Sequence, residues 1–485
     1  MNWWVLKRKI HTSWLIAGAS GGVLAGIVGV QYIDQAFFGS VVWLVLGVAL
    51  IVLVLWRRAV YLIPLALVGG ALLGLWRGSI DQYALLPYEK IVGHAVSVKG
   101  VVGEDPDNDK TGNVVLRLNV VEIDGHALGG TMWVSAKTKA EIKRADSVTL
   151  GGKLGQGFGN FSGVMYRANI VKVQRPQPGD VAGKVRDWFA DSVRVVIPEP
   201  QASLGIGYLV GQRRSLPPEL DDALKIAGLT HVVVASGYNL TILVRLARRL
   251  FVKISKYLSA LASSAMIFAF IGITGASPSM ARAGLVAGLS LLAWYYGRKF
   301  HPLVLLPFAA AVTVLVNPSY AWGDLGWQLS FAAFAGVMVI GPLAQSYFFG
   351  SKKPSTVRQI LGETIAAQIA TLPILILAFG QFSNIAIISN LLILPFVPLA
   401  MLLTFVAGIG VLIAPGFASI VGTPASLLLQ YMTATTQYLA SLPWALSQVT
   451  ITTIVAIGMY VAIMFFCIYM WRKTRFDLRE ANIVE

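Results

Sequence analysis

Residues 385–413 read IAIISNLLILPFVPLAMLLTFVAGIGVLI, a run that contains no charged side chain. A helix of about 20 apolar residues crosses the roughly 30 Å hydrocarbon core of a bilayer, so this run is more than long enough to span it. Pro395 and Pro398 interrupt the run, and we expect the helix to be kinked or broken there. The stretch therefore predicts a membrane-spanning segment.

The rest of the chain shares this character. Of its 485 residues, 56% are hydrophobic and 13% are charged, whereas soluble domains carry about 25% charged residues. We predict a polytopic α-helical membrane protein with about twelve transmembrane helices, the first of them an uncleaved helix and not a signal peptide. The predicted spans are 14–32, 36–56, 59–76, 230–247, 257–275, 279–297, 302–316, 325–346, 360–379, 385–413, 418–440 and 451–471.

Lysines and arginines cluster in alternate loops between these spans. Since the cytoplasmic loops of a membrane protein hold most of its Lys and Arg, the alternation predicts that both termini are cytoplasmic in the plasma membrane. The same bias accounts for most of the formal net charge of +16. Three spans precede a long polar gap, so the gap falls on the extracytoplasmic side. The clusters assigned to the cytoplasm are Lys7–Lys9, Arg57–Arg58, Arg245–Lys256, Arg298–Lys299, Lys352–Arg358 and Arg472–Arg475.

The polar gap has the period-two alternation of β-strands, separated by turns that contain Asp, Gly and Asn. Five short strands at this spacing suit a small closed barrel of the oligonucleotide/oligosaccharide-binding (OB) type, and another small all-β fold fits the pattern nearly as well. The predicted strands are Val92–Val102, Asn113–Ile123, Ala127–Ser135, Ser147–Leu154 and Val164–Val173. An amphipathic stretch follows at Val181–Ile197 and is predicted to lie along the membrane surface.

These features divide the chain into five parts. They are a three-helix anchor at 1–77, a β domain at 88–176, an interfacial linker at 177–229, a membrane core at 230–472 and a cytoplasmic tail at 473–485.

The sequence carries no catalytic or cofactor motif. Its one cysteine, Cys467, excludes an intrachain disulfide and a thiolate metal cluster, and its five histidines lie at no metal-site spacing. It also lacks a phosphate-cradling Gly-Lys-Ser/Thr loop, which argues against an ATPase. We therefore predict a protein that is not an enzyme and has no metal or cofactor.

Polar side chains within or beside the predicted spans are the candidate functional residues, because each unpaired polar group is costly in a membrane. Structural roles are open alternatives: Asn239 as a satisfied helix-packing residue, Arg282 as a side chain that reaches the interface, and Asp324 as a helix cap. The candidates are Ser236, Gly237, Asn239, Arg282, Asp324, Gln328, Ser330, Gln368, Thr371, Gln381, Asn384 and Asn390.

Four motifs in this region occur in a fixed order. They are SGYN at 236–239, RAG at 282–284, NP followed by DLGWQLSFAA at 317–333, and QIATLP to LPFVP, with FGQFS and NLL between them, at 368–398. Over roughly residues 200 to 470, the chain resembles the ComEC family of competence proteins. The resemblance implies an OB-like DNA-binding domain and a channel that passes one strand of DNA across the cytoplasmic membrane in natural transformation.

The resemblance also implies how the chain would hold DNA. Phosphates are too costly to take into hydrocarbon, so the pore would be lined by neutral donors and by Arg, which the motifs supply. Arg213 and Arg214, predicted outside, would contact phosphate at the entrance, with lipid head-group binding as the alternative. In the β domain, Phe158 and Phe161 would stack on bases beside Arg167.

Two departures from the family affect its implications. Many members carry His where this chain has Asn239, so a titrating imidazole cannot act there, although a hydrogen-bonding role remains. The chain also lacks the His-x-His-x-Asp-His motif of the metallo-β-lactamase-like domain found in larger members. The expected partners are single-stranded DNA, membrane lipids, a separate cytoplasmic helicase motor and a separate nuclease, and a homodimer is expected from the family.

Two other functions compete with the channel. A secondary transporter or lipid-handling protein would need coupling residues, and the core spans contain only Asp324 and Glu363 as acidic residues, each near a helix end. An assembly scaffold would bind a partner through the β domain and would not need the polar core residues.

Overall fold

The structure is a computed structural model that describes residues 9–33, 35–108, 112–138, 140–212, 216–233, 237–275, 278–297, 301–350, 354–413, 416 and 418–478. It forms two compact units. Unit 1 comprises Met1–Asp180 with Leu303–Gln328, and unit 2 comprises Val181–Pro302 with Leu329–Glu485.

Unit 1 begins with helices that pack through small residues. Helices α1 (Thr12–Gly29), α2 (Gln35–Phe38), α3 (Val41–Arg57) and α4 (Ile63–Ile91) follow one another, and α1 lies along α4. A Cβ added at Gly22 would overlap the Leu67 carbonyl, and one added at Gly70 would overlap the Ala19 carbonyl. The two backbones therefore touch, as small residues allow in membrane helices. Helix α4 runs fifteen residues past the predicted span 59–76 because no helix-breaking turn follows that span.

The β domain is a closed ring of strands. Its elements are β1 (Ala95–Val102), β2 (Asp107–Asn108), β3 (Val114–Ile123), β4 (His126–Ala127), β5 (Thr131–Ala136), β6 (Ser147–Gln156) and β7 (Gly163–Gln174). The long strands run in the order β1-β6-β7-β5-β3, and β3 pairs again with β1. Only the β5–β7 pair is parallel among these neighbours. The five predicted strands coincide with the five long strands, and they form a β-barrel-like domain.

The inside of the barrel is apolar. Alternate residues of each long strand point inward, as the period of a strand dictates. Leu116, Leu118, Met132, Leu150 and Met165 are fully buried there. Three further helical elements complete unit 1: α12 (Pro302–Val316), α13 (Tyr320–Gly323) and the first turn of α14 (Leu325–Ala335).

Unit 2 begins with α5 (Val181–Val196), α6 (Gln201–Val210), α7 (Pro218–Ile226), α8 (Thr230–Val233) and α9 (Gly237–Phe251), followed by α10 (Lys256–Thr274) and α11 (Pro278–Tyr295). Helix α5 is amphipathic as predicted. One apolar edge, with Phe189 and Val193, is buried, whereas Val185 and Trp188 are exposed. In the predicted span 230–247, the described residues form α8 and the amphipathic α9, which carries three arginines in its C-terminal half.

The C-terminal part of unit 2 contains the longest apolar helices. After α14, a π-helical turn leads into α15 (Gly341–Phe349), and then come α16 (Thr356–Phe379), β8 (Gln381–Ser383), α17 (Ala386–Ile393), α18 (Val397–Ile413), α19 (Ala418–Ala440), β9 (Leu446–Gln448) and α20 (Thr453–Thr474). A 3₁₀ turn at Leu394–Phe396 separates α17 from α18. The helix expected to break at Pro395 is therefore broken there.

Among the described residues, seven helical segments are long and apolar enough to cross a membrane, and the helices Val41–Arg57 and Pro302–Val316 are shorter apolar ones. The predicted spans 230–247, 279–297 and 418–440 are not among these nine. Helix α9 contains three arginines, α11 contains one, and α19 contains several Ser, Thr and Gln side chains. The seven are Thr12–Tyr32, Val60–Ile91, Lys256–Thr274, Leu325–Phe349, Val357–Phe379, Ala386–Ile413 and Thr453–Thr474.

Candidate functional site

The motif at 317–328 forms a tight corner between α12 and α14, which we call the motif corner. The Asn317 Oδ1 accepts hydrogen bonds from the Ser319 N–H and hydroxyl, at 3.1 and 2.7 Å. The Asp324 Oδ1 accepts the Trp327 N–H at 2.6 Å, which caps the start of α14. The Gln328 amide donates to the Ala321 and Trp322 carbonyls, both at 3.3 Å. These polar side chains therefore stabilise their own turn.

The motif corner also contacts the β domain within unit 1. The loop between β6 and β7, which contains Gly159, lies directly against Gly323. A Cβ added at Gly323 would overlap the Gly159 carbonyl and would come within 2.6 Å of the Asn160 nitrogen. Only glycine allows two backbones to approach this closely.

Asn239 lies near the start of α9 and is completely buried. Its amide nitrogen donates to the Tyr208 carbonyl at 3.1 Å and to the Val232 carbonyl at 3.0 Å. It thereby joins α9 to the ends of α6 and α8. The contacts are hydrogen bonds from a neutral donor, so this geometry does not need an imidazole. Gly237 lies two residues earlier, and a Cβ there would be 3.3 Å from the Ala283 Cβ on α11.

Arg282 lies in the first half of α11 and is 3% exposed. Its guanidinium carbon is 6.0 Å from the centroid of the Phe331 ring on α14, which is a cation–π distance. The side chain is therefore buried inside unit 2. A guanidinium stays charged at every physiological pH.

The remaining membrane candidates lie on separate elements. Gln368 is half-buried on α16, and the Thr371 hydroxyl donates to the Ala367 carbonyl of its own helix at 2.9 Å. Ser330 is exposed on α14. Asn390 on α17 is 5% exposed, and its Oδ1 has no hydrogen-bond donor among the described residues.

Gln381 and Asn384 belong to a short ribbon between α16 and α17. Gln381 on β8 pairs with Gln448 on β9. The Asn384 amide donates to the Trp444 carbonyl at 2.7 Å and to the Ser447 hydroxyl at 2.8 Å. These two residues therefore hold loops together. Arg213, Arg214 and Ser236 lie outside the described residues.

Four aromatic rings form a continuous row on the β domain, which we call the aromatic strip. Ring centroids lie 5.4 Å apart for Phe161 and Phe158, 6.1 Å for Phe158 and Trp133, and 5.4 Å for Trp133 and Tyr166. Phe158 is 49% and Tyr166 is 64% exposed. Arg167, the next residue, is exposed and has a positive φ of 53°. Rings spaced this way present faces and edges on which flat ligands can stack.

The sequence pattern singled out Phe158 and Phe161 as stacking residues but not Trp133 or Tyr166. Strand alternation could have predicted that Trp133 faces outward, because its neighbours Met132 and Val134 both point into the core. For Tyr166 the alternation fails: Val164 and Met165 are both buried, and the pairing of β6 with β7 is irregular in this region.

The candidate residues thus separate into three kinds. Asn239, Asp324, Gln328 and Asn384 make structural hydrogen bonds, and Arg282 is a buried charge. In the aromatic strip, Phe158 and Tyr166 are exposed and Trp133 and Phe161 are half-buried, and the adjacent Arg167 is exposed. In the part of the chain that the structure describes, no three His, Cys, Asp or Glu side chains are arranged to hold a metal ion.

Apolar helices, seven of them long enough to cross a membrane, joined to a small β-barrel-like domain indicate a membrane protein. The polar motifs of its helices lie in the region that identifies its protein family. Residues 208–474 match the family described as Competence protein, and the chain belongs to that family. The match confirms the resemblance to ComEC proteins over this region.

Two relatives are similar over part of their length. The ComE operon protein 3 of Bacillus subtilis (strain 168) is 29% identical over 216 residues, which are 43% of this chain and 27% of that protein. An uncharacterized protein of Aquifex aeolicus (strain VF5) is 23% identical over 205 residues, which are 41% of this chain and 48% of that protein. The chain thus aligns with less than half of either relative. No solved structure matches it.

Proposed function

We propose that this protein is a channel through which single-stranded DNA enters the cell across the cytoplasmic membrane during natural transformation. The observation that carries the proposal is the match of residues 208–474 to the Competence family, which covers the helices that contain Asn239, Arg282 and Gln328. The aromatic strip supplies a surface on which the incoming strand is held first.

The proposed orientation places the β domain outside the cell and both termini in the cytoplasm, with about twelve transmembrane helices. We assign the β domain to the OB-like barrels. Its long strands follow the order 1-2-3-5-4-1 when numbered by themselves, with the third and fifth parallel. This order is the one that OB barrels have, and such barrels bind oligonucleotides on one face.

The aromatic strip suits single-stranded DNA for a physical reason. Each base has a π-face, so stacking on Trp133, Phe158, Phe161 and Tyr166 would hold a strand of any sequence, at about 1–3 kcal/mol per base. Between Lys90 and Arg175 the sequence has twelve Lys plus Arg and eight Asp plus Glu, a difference of +4. Arg167 adds a positive charge beside the strip, which favours a phosphate backbone.

Arg282 is the residue of the membrane core that we assign to the strand's phosphates. A charged side chain buried among membrane helices is costly and marks a functional position by default. Its neighbour across the helix interface is the apolar Phe331. A phosphate that passes nearby would gain from the guanidinium, because both charges interact strongly where water is scarce.

We favour a channel over a coupled transporter because the acidic residues of the core have structural partners. Asp324 caps α14, and Glu363 accepts a hydrogen bond from Gln359 at 2.9 Å. The driving force and any strand degradation are assigned in this proposal to a separate cytoplasmic helicase motor and a separate nuclease. A homodimer stays a prediction from the family.

A transformation assay tests the channel. A strain that lacks its own copy of the protein would be complemented with Arg282→Ala, with the double variant Trp133→Ala/Phe158→Ala, or with the matched control Arg249→Ala, whose side chain is exposed on the neighbouring helix α9. Membrane expression is measured for each. We expect transformation to fall by at least about tenfold in the first two, equivalent to about 1.4 kcal/mol, and to stay normal in the control.

Binding of single-stranded DNA by the purified full-length protein tests the aromatic strip separately. The double variant should bind about 5- to 150-fold more weakly for each stacked base that is lost, in line with 1–3 kcal/mol. Trp188→Ala is the control, since Trp188 is 56% exposed on α5 and lies outside the strip. Unchanged affinity in the double variant, together with normal transformation in Arg282→Ala, would refute the channel proposal.

A further inference from the structure

The motif corner presents a glycine, and not its polar side chains, to the β domain. Asn317, Asp324 and Gln328 are all occupied by hydrogen bonds to the corner itself. The surface that meets the β6–β7 loop is the backbone at Gly323, opposite Gly159. The best-defined polar motif of the sequence therefore builds a rigid support.

Both glycines are required for this contact. A Cβ at Gly323 would overlap the Gly159 carbonyl, and a Cβ at Gly159 would lie 2.8 Å from the Gly323 carbonyl oxygen. Gly159 also has a φ of +60°, which other L-residues adopt only with strain. A side chain at either position would force the loop and the corner apart.

The β6–β7 loop is itself fixed to the barrel. The Thr131 hydroxyl donates to the Asn160 carbonyl at 2.9 Å, and the Ser162 N–H donates to the Thr131 carbonyl at 2.7 Å. The Phe161 N–H donates to the Phe158 carbonyl at 3.0 Å. Because the loop is constrained in this way, the position of Gly159 fixes the positions of Phe158 and Phe161.

The motif corner is fixed from its other side as well. Arg77 of α4 donates from Nε to the Leu315 carbonyl and from Nη2 to the Val316 carbonyl, both at 2.9 Å. The same guanidinium lies 3.5 Å from the Asp81 carboxylate. Arg77 thereby satisfies the free carbonyls at the C-terminal end of α12. The corner is anchored to the N-terminal helices while it contacts the barrel.

We propose that the motif corner is the docking seat of the β domain, with Gly159 and Gly323 as its positioning residues. The seat holds the Phe158–Phe161 end of the aromatic strip against the start of α14, so that a strand leaving the strip meets the membrane helices there. The proposal rests on the proposed function for its biological purpose. Its structural part, the docking itself, does not.

A distance measurement on the full-length protein tests the docking. Spin labels are placed at Lys172→Cys, exposed on β7, and at Val316→Cys, 72% exposed at the end of α12, with Cys467→Ser as background. We expect one narrow distance distribution, and a broadened or shifted one in Gly323→Ala. Gly362→Ala and Gly151→Ala are matched controls, because a Cβ at either position meets nothing within 4 Å, and they should keep the narrow distribution.

Two functional readouts accompany the distance. Gly323→Ala should reduce transformation by about 2- to 30-fold, the size of effect expected when the coupling between two sites weakens by about 0.5–2 kcal/mol. Its affinity for single-stranded DNA should stay within about twofold of the original, because the aromatic strip is intact. Failure of the proposed function would appear in the strip and Arg282 variants, independently of these results.

A cross-linking experiment tests the docking without the Gly323→Ala variant, in case that variant does not fold. Cysteines at Asn160 and Tyr320, in the Cys467→Ser background, are treated in membranes with a short bis-maleimide, and the linked peptides are identified by mass spectrometry. The docking requires the cross-link to form. The docking is overturned if both cysteines react with a monofunctional maleimide but do not cross-link, or if Gly323→Ala keeps the narrow distance distribution. A changed distribution with normal transformation would overturn the role of the docking in DNA entry.

Discussion

At the scale of single residues, the polar groups of this protein serve mainly to satisfy backbone atoms. The Asn239 amide bridges the carbonyls of the buried Tyr208 and Val232, and the Asp324 carboxylate caps a helix. An unsatisfied backbone group costs more in a low-dielectric interior than a hydrogen bond gains, so such residues are tightly constrained. Arg282 differs from them because it brings a permanent charge into the helices.

Replacement of Asn239 tests this account. Asn239→Ala leaves the Tyr208 and Val232 carbonyls without the amide, and we expect a loss of about 1–3 kcal/mol in the free energy of unfolding. The measurement is thermal or denaturant unfolding of the purified protein. Asn384→Ala should cost less, because Asn384 is exposed and water replaces its bonds. An equal loss in both variants would contradict the role of burial.

A carboxylate of the β domain predicts a dependence of stability on pH. Burial alone would raise the pKa of Asp146, but hydrogen bonds from Arg175 and from the Lys143 N–H outweigh it and hold the pKa below its ordinary value of 3.8. Arg175 approaches both carboxylate oxygens at 2.9 Å. The unfolded chain then binds the proton more readily, so this contribution is present above pH 3.8 and is lost as pH falls through the lowered pKa.

Unfolding of the original protein and of Asp146→Asn should therefore be compared at pH 7 and at pH 3. The asparagine variant should be less stable at pH 7 by about 1–3 kcal/mol, with a smaller gap at pH 3. Other acids titrate in both proteins, so the difference in unfolding free energy between the two proteins isolates the contribution of Asp146. A gap that is constant with pH would show that the ion pair does not contribute in this way.

At the scale of elements, small residues decide how the N-terminal helices pack. Gly22 and Gly26 on α1 meet the backbone of α4, and Gly70 and Gly74 on α4 meet the backbone of α1. Such contacts give membrane helices packing energy that apolar side chains in lipid do not supply. The aromatic strip is another property of elements, because its rings come from two neighbouring strands and the loop beside them.

Gly70→Leu tests the helix contact. Its side chain would overlap the Ala19 backbone, so we expect α1 and α4 to separate and the protein to lose at least about 1–3 kcal/mol of stability or to fail to accumulate in membranes. Gly21→Leu is the control, since a Cβ at Gly21 meets nothing within 4 Å. Membrane expression and the melting temperature in detergent are the measurements. Normal values for Gly70→Leu would be incompatible with the close packing.

At the scale of the whole molecule, the chain combines a closed barrel with many apolar helices. Closure removes the free edges of the barrel, because each long strand has two partners. The family region begins at residue 208 and ends at residue 474, so it includes helices of both compact units. Segments 303–328 belong to the unit of the N-terminal helices and the barrel, which is where the motif corner lies.

The proposed orientation is tested by cysteine labelling in intact cells, again with Cys467→Ser as background. A membrane-impermeant maleimide should label Lys172→Cys in the β domain without lysis and should label Lys473→Cys only after lysis. This pattern follows from the positive-inside distribution of charge. Labelling of Lys473→Cys in intact cells would reverse the assignment of the termini.

The sequence alone determined the membrane character, the five long strands and the helix break at Pro395, because hydrophobic periodicity and proline act locally. It also identified the polar motifs. It did not predict that residues 237–251 form an amphipathic helix, because the prediction counted only the length of the apolar stretch. Only the tertiary structure decided which carbonyls Asn239 reaches, that Arg282 faces Phe331 and that Gly323 meets Gly159. These are contacts between residues far apart in the chain, and no local pattern specifies which distant backbone will supply the partner.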